Sequence, residues 1–423
     1  MAIITQMVSI MIPASSNPST TAVRYADFRP SIFNNVFEST ANQRLALNGT
    51  AKNVAITVAN APGVGKSYNF RYRKAGAYIG YDLFLSETKN RVSNPDSFSV
   101  SPGDNVTIEV TPSGTPAATG NLSLAWEFES AVDGESQYLS YSDDPSNTVT
   151  TYKPIFTDKT SGWSSTAANQ ECVCPIPCTI TGAVFRLVAA PGAAASGKSF
   201  TFTIYKNGIK QDGTSGTVNT QVLIFETATS GSATFVLSAL PGDRFYMECV
   251  PANTPTASAG VTFATYVTST DKNSFIICFN DFGAASQSAT RFHTTMNGWQ
   301  DGFSGWASSV NSIASSTYGA AVTTYKLQGT YGQITAAPGT GRSRTLTLFK
   351  NGASIAGGPI VPFVGNTVTN NDPNGIALWL PTDVVGWENV PSNTPASSRI
   401  SLAMGASKYV SGAQGSDVPF GIF

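Results

Sequence analysis

The chain has 423 residues, of which 41% are hydrophobic and only 12% charged, with a net charge of −1. That length accommodates about three domains of roughly 100–200 residues, and 24 Phe, 15 Tyr and 6 Trp exclude a disordered chain. Sparse charge disfavours long solvated helices, 25 unclustered basic residues lack a nucleic-acid footprint, and no run reaches the roughly 18–20 apolar residues that cross a bilayer.

Residues 1–34 open with an apolar run containing Met1, Ile3, Ile4, Met7, Ile10, Met11 and Ile12, then carry Pro13, Pro18 and Pro30. No Lys or Arg precedes Arg24, and the run is short for a secretory core, so no signal peptide is expected. Two readings stand. The segment is an N-terminal arm whose apolar side chains form an interface with a neighbour, or it is a strand added to the first domain.

Further along, one set of motifs occurs three times. Its first element is a turn, Ala61-Pro62-Gly63, Ala190-Pro191-Gly192 and Ala337-Pro338-Gly339. A Gly-(Lys/Arg)-Ser signature follows, at Gly65, Gly197 and Gly341. Alternating runs come next, Tyr68–Tyr72, Phe200–Tyr205 and Thr345–Phe349, as half-buried strands alternate. Two of these strands end in Asn207-Gly208 and Asn351-Gly352, the preferred pair for a two-residue hairpin. The first copy has Ala75-Gly76 there, which predicts a longer hairpin.

The second element also keeps its spacing. Pro102-Gly103-Asp104, Pro241-Gly242-Asp243 and Pro381-Thr382-Asp383 open it, and Pro-Gly suits the centre of a type II turn. Ten residues after each leading proline stand Pro112, Pro251 and Pro391, and four later Pro116, Pro255 and Pro395. Glu109, Glu248 and Glu388 follow each aspartate by five residues. Final strands are predicted at 122–128, 261–267 and 399–404. A third marker, centred on Trp163 and Trp306, precedes copies two and three. Short strands punctuated by Gly, Pro and Asn turns predict an all-β chain of three tandem β-sandwich or jelly-roll-like domains. From the motif spacing these span 35–150, 151–285 and 286–423, behind the arm at 1–34.

Catalytic chemistry has little to draw on. Gly192-Ala193-Ala194-Ala195-Ser196-Gly197-Lys198-Ser199 matches the phosphate-binding loop pattern, but a strand pattern follows where that loop requires a helix. The single histidine, His293, falls in a connector rich in Thr, Ser and Gly. Cys172, Cys174, Cys178, Cys249 and Cys278 are odd in number and lack zinc-knuckle spacing, so they read as buried strand thiols. The repeated Asp and Glu read as a turn cap and an outward strand residue, not as paired catalytic acids or a calcium site. The tryptophans Trp126, Trp163, Trp299, Trp306, Trp379 and Trp387 read as packing, with a sugar-binding face as the alternative. The expectation is a chain with no enzymatic activity, no cofactor and no metal.

The run of Ala-Pro-Gly, Gly-Lys-Ser, alternating strand and Lys-Asn-Gly, followed by Pro-Gly-Asp and Thr-Pro-Ser-Gly-Thr-Pro-Ala, resembles repeats in structural proteins of tailed phages and prophages. The resemblance covers roughly residues 35–423 and implies a virion component. It implies partners among the major capsid protein and other virion proteins, while the dispersed basic residues and the lack of a long apolar run argue against nucleic acid and membrane as partners. Tandem sandwiches with an arm suit capsid decoration on the outer surface of the particle, as a homo-oligomer, with a trimer favoured. The alternative is a head or tail fibre that binds host glycans through the last copy or the insert 298–317.

Overall fold

The computed structural model describes residues 5–12, 18–27, 43–45, 47–120, 122–142, 144–156, 163–257, 260–280, 285–294, 324–380, 383 and 385–409. Among them the chain is all β, and its one helical element is a short 3-10 turn, Ala167–Gln170.

The first module comprises β1 (Thr5–Ile12), β2 (Arg24–Asp27), β3 (Gln43–Arg44), β4 (Gly49–Val58), β5 (Gly63–Lys74), β6 (Ala77–Glu87), β7 (Arg91–Val100), β8 (Asn105–Ser113) and β9 (Leu122–Ser130). The second comprises β10 (Glu135–Ser142), β11 (Thr151–Lys153), β12 (Cys172–Val173), β13 (Cys178–Leu187), β14 (Ser199–Lys206), β15 (Ile209–Lys210), β16 (Val222–Phe225), β17 (Ser230–Ala239), β18 (Arg244–Ala252) and β19 (Val261–Ser269). The third comprises β20 (Ser274–Asn280), β21 (Arg291–Thr294), β22 (Tyr325–Ile334), β23 (Gly339–Lys350), β24 (Ala353–Ser354), β25 (Ile360–Gly365), β26 (Thr369–Trp379), β27 (Val385–Ser392) and β28 (Ile400–Lys408).

Each module has two antiparallel sheets with one strand order. One sheet runs β1-β9-β4-β7, β10-β19-β13-β17 and β20-β28-β22-β26 in the three modules. The facing sheet runs β2-β8-β5-β6, then β11-β18-β14 with β15 and β16, then β21-β27-β23 with β24 and β25. In terms of eight principal strands, the orders are first-eighth-third-sixth and second-seventh-fourth-fifth. That is the wrapping of a jelly roll, in triplicate. Inward positions of the facing sheets form the core; in module one Tyr68, Phe70, Tyr72, Trp126 and Phe128 are all essentially inaccessible.

Strand pairing corrects the expected divisions. β1 pairs along its whole length with β9, and β2 pairs with β8, so of the two readings of the N-terminal segment the strand added to the first domain fits Thr5–Ile12 and Arg24–Asp27, and the separate arm does not. Met7, Ile10, Met11 and Ile12 lie on β1; Met1, Ile3 and Ile4 lie outside the described residues. β1 is the edge strand of its sheet and also lies against β28 of module three. β10 pairs with β19 and β20 with β28. Modules two and three therefore begin at Glu135 and Ser274, ahead of 151 and 286, because a jelly roll's first strand precedes the motifs that repeat.

Candidate functional site

The repeated motifs shape turns and tie them together. Gly103 and Gly242 sit at φ +88° and +93°, and Asp104, Asp243 and Asp383 each donate a backbone N–H to the carbonyl three residues earlier. Pro381 and Thr382 lie outside the described residues. Each aspartate carboxylate accepts the backbone N–H at the turn's start, from Ser101, Leu240 and Leu380 at 2.8, 2.8 and 2.9 Å. It also pairs with the lysine ending the fourth principal strand: Lys74–Asp104 at 3.1 Å, Lys206–Asp243 at 2.9 Å and Lys350–Asp383 at 3.2 Å. Asn207 and Asn351 donate side-chain N–H bonds to the same carboxylates. Burial alone would raise the Asp243 and Asp383 carboxyls. These donors and the lysines outweigh it and hold both below their ordinary value.

The first-copy hairpin is a correction. Lys74 pairs directly with Ala77, and Ala75 and Gly76 take φ +49° and +82°, as Asn207-Gly208 and Asn351-Gly352 do. The hairpin is not longer; Ala75 adopts the left-handed conformation without an asparagine's help. Pro62, Pro191 and Pro338 present their carbonyls to the N–H of Ala117, Thr256 and Ala396, which joins the first turn motif to the loop after the second. Gly63 and Gly339, at φ +102° and +101°, start their strands, and Gly192 donates its N–H to the Glu226 carbonyl.

The phosphate-loop lookalike is filled from within. The backbone N–H groups of Ala195 and Gly197 donate to the two carboxylate oxygens of Glu226, both at 2.9 Å, and Lys198 runs straight into β14. An internal carboxylate thus holds the amides that a phosphate would need.

Glu109 and Glu248 are buried, unlike the outward residues expected. Arg73 covers Glu109 at 2.9 Å, while Tyr205 donates to Glu248 at 3.0 Å and Lys210 pairs with it at 2.6 Å. His293 is also buried, on β21 opposite Trp387 and not in a loose connector. All five cysteines are buried; Cys174 lies between β12 and β13, with its Sγ 3.5 Å from that of Cys178. Trp126, Trp379 and Trp387 are inaccessible core residues, and Trp163 packs on Phe202. Trp299, Trp306 and the insert 298–317 lie outside the described residues.

What sequence reasoning missed is how the modules meet. β3 of module one lies against β13 and β19 of module two, and β12 of module two lies likewise against β22 and β28 of module three. β1 returns to β28, as β10 lies beside β9, so the three modules close a ring. The Gln6 side chain exchanges two hydrogen bonds with the backbone of Gln137, at 2.9 and 2.8 Å, and the Ile276 N–H donates to the Tyr138 hydroxyl at 2.7 Å. At the closing seam Glu127, inaccessible to solvent, accepts from the Tyr325 hydroxyl at 2.8 Å and lies 3.4 Å from Lys408 Nζ.

The outer rim is different. The fifth and sixth principal strands are sheet edges in every module. In modules two and three they expose several large apolar side chains among Ser and Thr, and module one exposes Phe84 at the register position of Leu223. Leu223, Phe225, Val236 and Leu240 are 45–69% exposed, and Ile360, Val364, Ile376, Leu378 and Leu380 are 37–57% exposed. At the register positions of Val236/Ile376 and Leu240/Leu380, module one has Ser97 and Ser101.

No protein-family model matches the chain, and no curated protein matches it. Among solved structures, it is similar to tandem CBM51 modules of a family 98 glycoside hydrolase from Streptococcus pneumoniae (10% identity, 60% of this chain and 82% of that one, TM-score 0.19). It is also similar to an archaeal-virus protein with a triple jelly-roll fold and turret assembly (10% identity, 96% and 89%, TM-score 0.19). A third likeness is to the major capsid protein P2 of bacteriophage PM2 (9% identity, 63% and 98%, TM-score 0.19). At such scores these likenesses carry no argument, and the fold rests on the strand order above.

Proposed function

We propose that this chain is a non-enzymatic structural protein of a virus particle, a decoration protein that docks on the outside of the capsid. The observation that carries the reading is the apolar outer rim of modules two and three. Sheet edges with free backbone groups and several exposed Leu, Ile, Val and Phe side chains are a liability in free solution and an asset in an interface. Module one keeps Phe84 at the position of Leu223 but has Ser97 and Ser101 where modules two and three have Val, Ile and Leu, so the docking face centres on modules two and three. The occupant of the rim is the major capsid protein. Apolar area buried there, at roughly 25 cal/mol per Å², stabilises the assembled shell because it binds only the closed form. The ring of three modules supplies within one chain the threefold arrangement that decoration proteins otherwise reach by association.

The test is reconstitution. Particles stripped of the chain should open at lower temperature, and adding it back should restore them. A variant carrying Val236→Asp, Leu240→Asp, Ile376→Asp and Leu378→Asp should fold, since those side chains are exposed, yet fail to rebind. Equal thermal stability of stripped and decorated particles would refute the proposal.

A further inference from the structure

We infer that the cleft between modules two and three is a binding site for a neutral sugar unit. Its volume is about 460 Å³, within the roughly 300–1,000 Å³ of small-ligand sites. Val173, Gly242 and Arg244 form the wall from module two; Tyr331, Val368 and the start of β26, Thr369–Asn371, form the wall from module three. The half-buried Tyr331 ring presents an aromatic surface of the kind that packs against the C–H face of a pyranose. The Thr369 hydroxyl, the Asn371 amide and the Arg244 guanidinium offer donors and acceptors around it.

Charge decides the ligand class. Arg244 is 3.2 Å from the Glu171 carboxylate, so the cleft does not present a bare cation to a phosphate or sulfate. Glu171 also accepts from the Gln333 side chain.

The other seam sharpens the inference. The register position of Tyr331 in module three is that of Val184 in module two. Val184 is buried with Leu45 and Leu47 in the apolar cluster of module one, and Asn105 stands where module two has Arg244. At this position the first seam is sealed by aliphatic side chains; the second, which buries Ile276, Cys278 and Ala403 with module two elsewhere, is open here and furnished with an aromatic ring, amides and a compensated guanidinium.

The experiment uses the intact chain on an array of immobilised neutral and anionic oligosaccharides, with Tyr331→Ala and Thr369→Trp variants checked by thermal melting. Retention of neutral glycans is expected, weakened roughly tenfold or more by Tyr331→Ala and abolished by Thr369→Trp, which fills the cleft from an exposed position. Should Tyr331→Ala fail to fold, Thr369→Trp carries the test. No retention by the wild-type chain, retention of anionic glycans alone, or retention indifferent to Thr369→Trp would overturn the assignment. Capsid docking uses the outer rim, so either outcome leaves that proposal to its own test.

Discussion

Tyr68 and Arg344 occupy the same register position in modules one and three, and both reach the same carbonyl. The Tyr68 hydroxyl donates to Ala117 O at 2.9 Å, and the Arg344 guanidinium donates to Ala396 O at 2.9 Å. Arg344 is inaccessible to solvent and donates also to the carbonyls of Ala285 and Ser286. A buried cation is tolerated only when so engaged. Arg344→Met should therefore lower unfolding free energy by about 2–4 kcal/mol, since each buried acceptor left without its donor costs about 1–3 kcal/mol; denaturant titration measures it. Ala75 gives the opposite case. Its left-handed backbone favours Asn over Ala, so Ala75→Asn should raise stability by about 0.5–1 kcal/mol, read as a higher denaturation midpoint at unchanged slope.

Turns and strands repeat more faithfully than the residues in them. The third principal strand shifts register against its partners within one residue of the same place in every module, after Lys52, Ile180 and Gln328. Such bulges re-aim a strand, and in modules two and three this strand is one that lies against the preceding module. The lysine-aspartate clamp between the fourth strand and the start of the seventh is the other constant element. Because the Asp243 and Asp383 carboxyls are held below their ordinary value, near 3.9, their contribution to stability is fully present above about pH 4. It disappears as pH falls through the folded values. Melting temperature followed from pH 7 to pH 2 should thus fall in the acid range, and a variant with both Asp243→Asn and Asp383→Asn should fall less steeply.

At the scale of the whole molecule the three jelly rolls form one body through seams that differ in chemistry. The first shares an apolar cluster, in which Leu139, Val184 and Ala264 of module two join the core of module one. The closing seam turns on Glu127, which receives Tyr325, Lys408 and, within its own module, the Asn53 amide at 2.7 Å. Removing a buried acceptor strands its donors. Glu127→Ala should cost about 1–3 kcal/mol, with faster amide exchange concentrated in β1, β9 and β28. A uniform rise in exchange across all modules would show that the seam is not where the energy resides.

The sequence by itself determined the all-β class, the triplication and the position of most turns. Those depend on local backbone geometry: Gly and Asn where φ is positive, Pro where it is restricted, alternation where a strand has one buried face. It left β1 open between an arm and a strand of module one, and it did not disclose that β10 and β20 belong to the modules whose turns follow them. Strand partners lie more than a hundred residues away, and pairing leaves no local mark. Nor did it reveal the burial of Arg344, Glu109 and Glu248, since a charged residue reads as exposed until the groups that neutralise it are brought beside it. The closure of the ring and the open seam were likewise decided only in three dimensions, where side chains from different modules meet and determine which gaps fill and which remain.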